Sequence, residues 1–343
     1  MTAAAPEQIQ PAADPAAPDH NLLGLDYHRP WPRPKVRGWV IDYHTHLFAH
    51  RHQRHWLRVN RHFGIDAFVT MTPLEEAVAV ARDLPGRVQF IAMPKWADDS
   101  PNWVDNWLRR LESFYNLGSR IVKFHMAPGT MAARKYSLEH PGVQTIIRES
   151  LDRGMILMSH VGDPDTWYTG KYTDTATFGT REHHYRLWED QLHATRGHTW
   201  IGAHLGGNPE DPPRLQRLLD TYPDLYLDLS ATRWMVREVS ARRDAMREFV
   251  IKNADRLLWG SDQVSGDTRK FDFLASRIWC HRKLWETAYV GPSPVLDPDL
   301  DQDKQPTLRG LALPDDVLQK IYHDNTVRVL GKHGVRFNEP EPS

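Results

Sequence analysis

Cysteine is almost missing from this chain: Cys280 is the only one in 343 residues. A single thiol excludes an intrachain disulfide framework and predicts a reducing, cytoplasmic setting. No apolar run approaches the roughly 20 residues that a membrane-spanning helix needs. Neither sign of charge prevails, with 43 Lys and Arg against 44 Asp and Glu, so no global field draws the chain to nucleic acid or to an anionic membrane. The opening Met1-Thr2-Ala3-Ala4-Ala5-Pro6 has no basic region followed by an apolar one, and secretion is not expected. Aromatics, by contrast, are plentiful: 13 Trp and 11 Tyr can line a pocket as well as fill a core.

Residues 1–30, rich in Ala and Pro and poor in aromatics, read as a mobile tail. One domain is expected over 31–335, with 336–343 as a C-terminal tail. Within the domain, short apolar, β-branched runs alternate with stretches of helical period. The runs are 40–46, 67–72, 88–94, 121–125, 156–160, 200–204, 225–229 and 257–262. Helices fit a stretch opening at Pro73, another from Ser100-Pro101-Asn102 to Asn116-Leu117-Gly118, and then 142–153, 181–195, 213–221, 236–253 and 271–289. The proline-rich, acidic segment 291–313 reads as a surface loop before last helices at 315–322 and 326–332. Continuous apolar strands alternating with helices mean a parallel sheet with a covered outer face. Eight is the number that closes an α/β fold into a (β/α)₈ TIM barrel, as a single domain.

In such barrels chemistry sits at the C-terminal ends of the strands. Those ends are polar here. The first carries His44 and His46, which share a face if the strand is regular. The fourth carries Lys123 and His125, the fifth His160, the sixth His204 and the eighth Asp262. Among 19 histidines a single His-x-His is weak, and any one strand histidine reads as well as a core residue. Five at one end of one barrel are hard to explain by packing. Asp42 cannot be placed by parity.

The ordered set Ile41-Asp42-Tyr43-His44-Thr45-His46, Ser159-His160, Ala203-His204-Leu205-Gly206-Gly207, Gly260-Ser261-Asp262 and Asp324-Asn325-Thr326-Val327-Arg328-Val329-Leu330-Gly331 resembles the amidohydrolase superfamily. Within it, the set is similar to the amidohydrolase-related group that contains aminocarboxymuconate semialdehyde decarboxylase. The resemblance implies that His44, His46, His160 and Asp262 hold one divalent metal, zinc, at the strand ends. His204 would stay off the metal as acid/base and Asp262 would also accept the proton of a metal-activated water. Lys123 resembles in placement the lysine that is carbamylated in the two-metal branch, which leaves a two-metal form as the alternative. The resemblance also brings a homodimer as an expected assembly, although no exposed apolar stripe marks an interface.

A small-molecule substrate is the expected partner. Arg233 is the candidate carboxylate clamp, because a guanidinium binds both oxygens at once; the alternative is pairing with Glu238. Trp234, Trp167, Lys123 and His125 are the other candidate substrate contacts. His50, His52, His55 and His62 read as solvated loop, and His183-His184 as helix surface. Asp211-Pro212-Pro213 reads as a helix cap. The expected activity is hydrolysis of a small carboxylated or cyclic substrate. The alternatives are nonoxidative decarboxylation of an aromatic or muconate-like acid, and a catalytically silent ligand-binding barrel.

Overall fold

The computed structural model describes residues 20–300 and 305–340. Each apolar run forms a strand: β1 Ile41–His46, β2 Ala67–Thr70, β3 Val88–Ala92, β4 Ile121–His125, β5 Ile156–His160, β6 Trp200–Gly202 and β7 Leu225–Asp228. Of the eighth run only β8 Leu257–Leu258 is a strand, and its continuation, β9 Gln263–Val264, lies just beyond the run. All neighbours pair in parallel, in the order β8-β7-β6-β5-β4-β3-β2-β1-β9. β8 pairs with β7 and β9 with β1. Between them Tyr43 N donates to Trp259 O and Asp262 N to His44 O, each at 2.8 Å, so the divided strand closes the expected (β/α)₈ barrel.

The division follows from crowding. A Cβ on Gly260 would lie 2.8 Å from His44 Cβ and 2.9 Å from His44 N, so only glycine lets β1 approach. Two residues on, Asp262 takes a left-handed φ of 54°.

Alternate strand residues face two layers. Ile121, Ile156, Met158, Ile201 and Leu258 meet inside the barrel and are closed from below by Val329 and Leu330 of helix Asn325–Lys332. Val122, Phe124, Leu157 and Trp200 pack outward against the helices. Helix Trp103–Asn116 shows the rule: Trp107, Leu111 and Phe114 recur at helical spacing on its buried face. Asp211 caps helix Pro212–Thr221 as expected, accepting from Arg214 N at 3.0 Å.

Several local readings are corrected. Residues 1–19 and 341–343 lie outside the described residues. The rest of both tails is docked, because each carries apolar or bonding groups that the body can use: Leu23 and Tyr27 are buried, and Glu339 accepts from Trp39 N at 2.6 Å. The stretch after β1 is a helix, Gln53–His62, whose Trp56, Leu57 and Val59 are buried. The span 236–253 is two helices, Arg233–Ala241 and Arg243–Lys252. Chain distant in sequence meets the break: Arg309 N donates to Ser240 Oγ, and Arg243 Nε to Gly310 O. That chain belongs to 291–313, which is not a plain surface loop. It holds a short antiparallel pair, Val290–Pro292 with Thr307–Arg309, and buries Val295, Leu308 and Leu311. His184 is buried as well, with its ring nitrogens 2.9 Å from Tyr168 Oη and 2.8 Å from Phe178 O.

Candidate active site

β1 carries an extra residue relative to β2: Asp42 pairs with Phe68 but Thr45 with Thr70. This bulge breaks strict alternation. Ile41 and Tyr43 can thus join the interior apolar cluster while His44 and His46, of opposite parity, enter the polar mouth. His44 is wholly buried. Its Nδ1 lies 2.9 Å from Asp228 Oδ2 at the end of β7, and its Nε2 lies 3.2 Å from Lys123 Nζ on β4 and 3.8 Å from Asp262 Oδ1. His46 Nε2 lies 3.0 Å from the same Asp262 oxygen.

The hydrogen-bond network assigns the tautomers. Ser230 Oγ donates to Asp228 Oδ1, so it accepts the Nδ1–H of His204 at 2.8 Å. Asp228 Oδ2 takes the Nδ1–H of His44. Both imidazoles are therefore left with an Nε2 lone pair. His204 itself is not on a strand. It opens a left-handed turn in which His204, Leu205, Gly206 and Gly207 have φ of 56°, 53°, 62° and 70°. Such a turn costs about 1–2 kcal/mol at each non-glycine residue, so its surroundings must enforce it. His204 N donates to Asp228 Oδ1 at 2.8 Å, and Arg181 Nη2 donates to Gly207 O at 3.1 Å. Gly207 lies so close to Gly162 that a Cβ would be 2.5 Å from its carbonyl oxygen.

Charge is arranged consistently. Burial, then the nearby Lys123, lowers the His44 pKa, and burial drives that of His204 far down, so both rings are neutral at pH 7. Burial alone would raise Asp228, but His44 against it, with His204 and Lys123 behind, holds it below the usual carboxylate range. Asp262 is likewise held low against its burial by the bond from His46 and by His204 nearby. Burial brings Lys123 down to about 8, opposed by Asp228 and Asp262. Asp42 is pushed up to about 7 by burial, although Ser261 N and Oγ both donate to it.

Neutral imidazoles beside ionised carboxylates are what a divalent cation requires. The ligand atoms of His44, His46 and Asp262 lie within 4.8 Å of one another, as do those of His44, His204 and Asp228. In the second group Asp228 takes the Nδ1–H of His44 and the backbone N–H of His204, so it supports and orients, whereas in the first only His46 and Asp262 bond each other, at 3.0 Å. The first offers donors to an ion.

A family model described as "Amidohydrolase" matches residues 41–332. The chain belongs to the amidohydrolase family. No curated protein matches it. Among solved structures, a TIM-barrel protein from Bordetella bronchiseptica superposes with a TM-score of 0.52 at 17% identity, covering 86% of this chain and 99% of that one. A 4-oxalomesaconate hydratase from Rhodopseudomonas palustris gives a TM-score of 0.51 at 14% identity, over 85% and 96% of the two chains.

Of the residues singled out from the sequence, the fold brings His44, His46, Lys123, His204 and Asp262 together. His160 stands beside them, its ring 4.7 Å from that of His204, but its Nε2 bonds Asp163 Oδ1 at 3.1 Å and it falls outside both groups of convergent ligand atoms. His125 packs 4.7 Å from His160, with Nδ1 2.8 Å from Thr130 Oγ1. Trp234 lies edge-on to His204 at 5.9 Å. Arg233 is half-buried and pairs with no carboxylate among the described residues; Glu238 is taken by Arg237 and Arg242 instead. Trp167 is engaged with the rim, donating to Asp299 beneath Lys171. Asp228 and Ser230, which orient both key imidazoles, were missed. Asp228 ends a buried apolar run, the same signal that marked the other strands.

Proposed function

We propose that this chain is a metal-dependent hydrolase of a small carboxylated or cyclic substrate. The observation that carries the reading is the convergence of His44, His46 and Asp262, with the Nδ1 of His44 fixed by Asp228 so that Nε2 is the donor. These residues would hold one divalent ion, zinc, and the bond to Asp163 leaves Nδ1 as the donor His160 would add. Bound there, such an ion lowers the pKa of water toward neutrality and polarises a carbonyl. Asp262 accepts a proton from the attacking water. His204 Nε2, neutral and backed by Ser230, stabilises developing negative charge as a donor once protonated and passes that proton to the leaving group. Arg233, with no carboxylate of its own, clamps a substrate carboxylate.

A second reading, nonoxidative decarboxylation of an aromatic acid, draws on the aromatic walls: Trp234 beside His204, and Trp96 beside His125 at 5.6 Å. The two differ in product, since only a decarboxylase releases carbon dioxide without consuming water.

The test is metal content per chain of protein expressed with zinc and bicarbonate, followed by screening of lactones, amides and carboxylated aromatics. One atom per chain is expected; two would make Lys123 a carbamate bridge. His44→Ala loses most of the metal, whereas His204→Ala keeps it and loses turnover. Loss of metal in both variants would sink the single-ion assignment.

A further inference from the structure

Outside the catalytic cluster, the chain leaving β1 and the chain leaving β9 enclose a cavity of about 200 Å³. Its walls are the first turn of helix Gln53–His62 and the approach to helix Phe271–Glu286. Arg51, His52, Arg269 and Lys270 line it against one carboxylate, Asp267. That carboxylate is already occupied. Arg51 grips it through Nε at 3.1 Å and Nη2 at 2.8 Å, and His52 Nε2 lies 2.9 Å away. Among the described residues no acid pairs with Arg269 or Lys270; the Arg269 guanidinium rests over Phe273, 4.0 Å from the ring centre. The cavity thus carries positive charge that its own walls do not offset.

One buried ring nitrogen points to what belongs there. Trp56 is wholly buried, lines the cavity, and its Nε1–H, a donor and never an acceptor, has no partner. His55, on the same wall, is already engaged by the backbone of Lys270 and Arg269. An unmet buried donor costs about 1–3 kcal/mol, which an acceptor in the cavity removes. Both helices also begin here without a side-chain cap, at His52 and Lys270, and the first turn of the shorter has no acid. The Gln53 N–H is taken by His50 O, and the positive dipole ends of the two helices add to the same field.

We propose that this seam is a binding site for an oxyanion, the carboxylate or phosphate of a ligand, held by Arg269, Lys270 and the Trp56 N–H. The site is distinct from the metal-capable cluster but shares a wall with it. Ser265 N donates to His46 O at 2.8 Å, while Ser265 Oγ accepts from Phe48 N at 2.9 Å and lies 3.2 Å from His52 Nδ1. The proposal stands whatever reaction the cluster performs.

The test uses the full chain stripped of metal, at constant ionic strength, titrated calorimetrically with inorganic phosphate and separately with acetate. One saturable site per chain is expected for at least one anion, tenfold or more weaker in the double variant Arg269→Gln/Lys270→Gln and unchanged in His44→Ala. Tighter phosphate assigns a phosphate-bearing ligand; tighter acetate assigns a carboxylate. Trp56→Phe, shown to be folded by near-ultraviolet circular dichroism, weakens binding by loss of the N–H alone. Absence of a saturable site with either anion overturns the proposal, since water then suffices, and so does binding that the double variant leaves intact.

Discussion

At the N-terminal end of the barrel interior, Ile41, Ile121, Ile156, Ile201 and Leu258 pack on one another and on Val329 and Leu330. A few residues further along the same strands, His44, Lys123 and Asp262 meet instead. The apolar end needs only shape: each isoleucine contributes about 1.5–3 kcal/mol by leaving water, whichever apolar neighbour it meets. The polar end needs particular partners. An imidazole, an ammonium or a carboxylate in that position is costly unless each finds its counterpart, and the pairing at best offsets the cost. Stability is therefore built at one end and function at the other, with the strands as the common frame.

The largest expected effect belongs to the apolar end. Ile156→Ala, at a position with no exposure, lowers unfolding free energy by about 2–5 kcal/mol in urea titrations, and the folded fraction binds metal as before. Unchanged stability with lost metal would erase the distinction between the ends. Next comes Asp228→Asn. It keeps the size of the side chain but removes the charge that fixes the His44 tautomer, and metal affinity falls about 10–100-fold by competition with a chelator. Unchanged affinity would reduce Asp228 to a packing residue.

The smallest effect concerns His281, behind the mouth. Its Nδ1 accepts from Trp285 Nε1 at 3.2 Å, and burial pushes its pKa down to about 4, with Asp262 and Asp228 opposing. The unfolded chain, titrating near about 6.5, binds more protons between these values than the folded one. The contribution is therefore whole above the unfolded pKa and is lost as pH falls toward 4. In metal-free protein, His281→Gln is expected to trim the fall in stability between pH 7 and pH 4.5 by about 1–2 kcal/mol. Part of the fall persists, because His44, His125 and His204 are lowered by burial too. An equal fall in the variant would take His281 out of the account.

The strands were legible because a buried parallel sheet forces continuous apolar runs, and runs such as 121–125 and 156–160 coincide with β4 and β5. Applying one rule, that polar strand ends point to the site, found His44, His46, Lys123, His204 and Asp262. It would have found Asp228 had the seventh strand been read in the same way. Arg233 and Trp167 were harder, since side chains on the short helices that follow the strands take whatever tertiary neighbour they meet. For Trp167 that neighbour is Asp299, 132 residues away.

The sequence by itself determined the fold class and the strand ends that carry chemistry, because burial and periodicity are written residue by residue, and its ordered motifs carried the resemblance to the family. Tertiary structure alone decided three things. It set the bulge that turns His44 and His46 inward, the left-handed turn that presents His204, and the pairing that makes Nε2 the lone-pair nitrogen of both His44 and His204. Each depends on close approach between segments far apart in the chain, at Gly260 against His44 and Gly207 against Gly162, and no local pattern encodes such an approach.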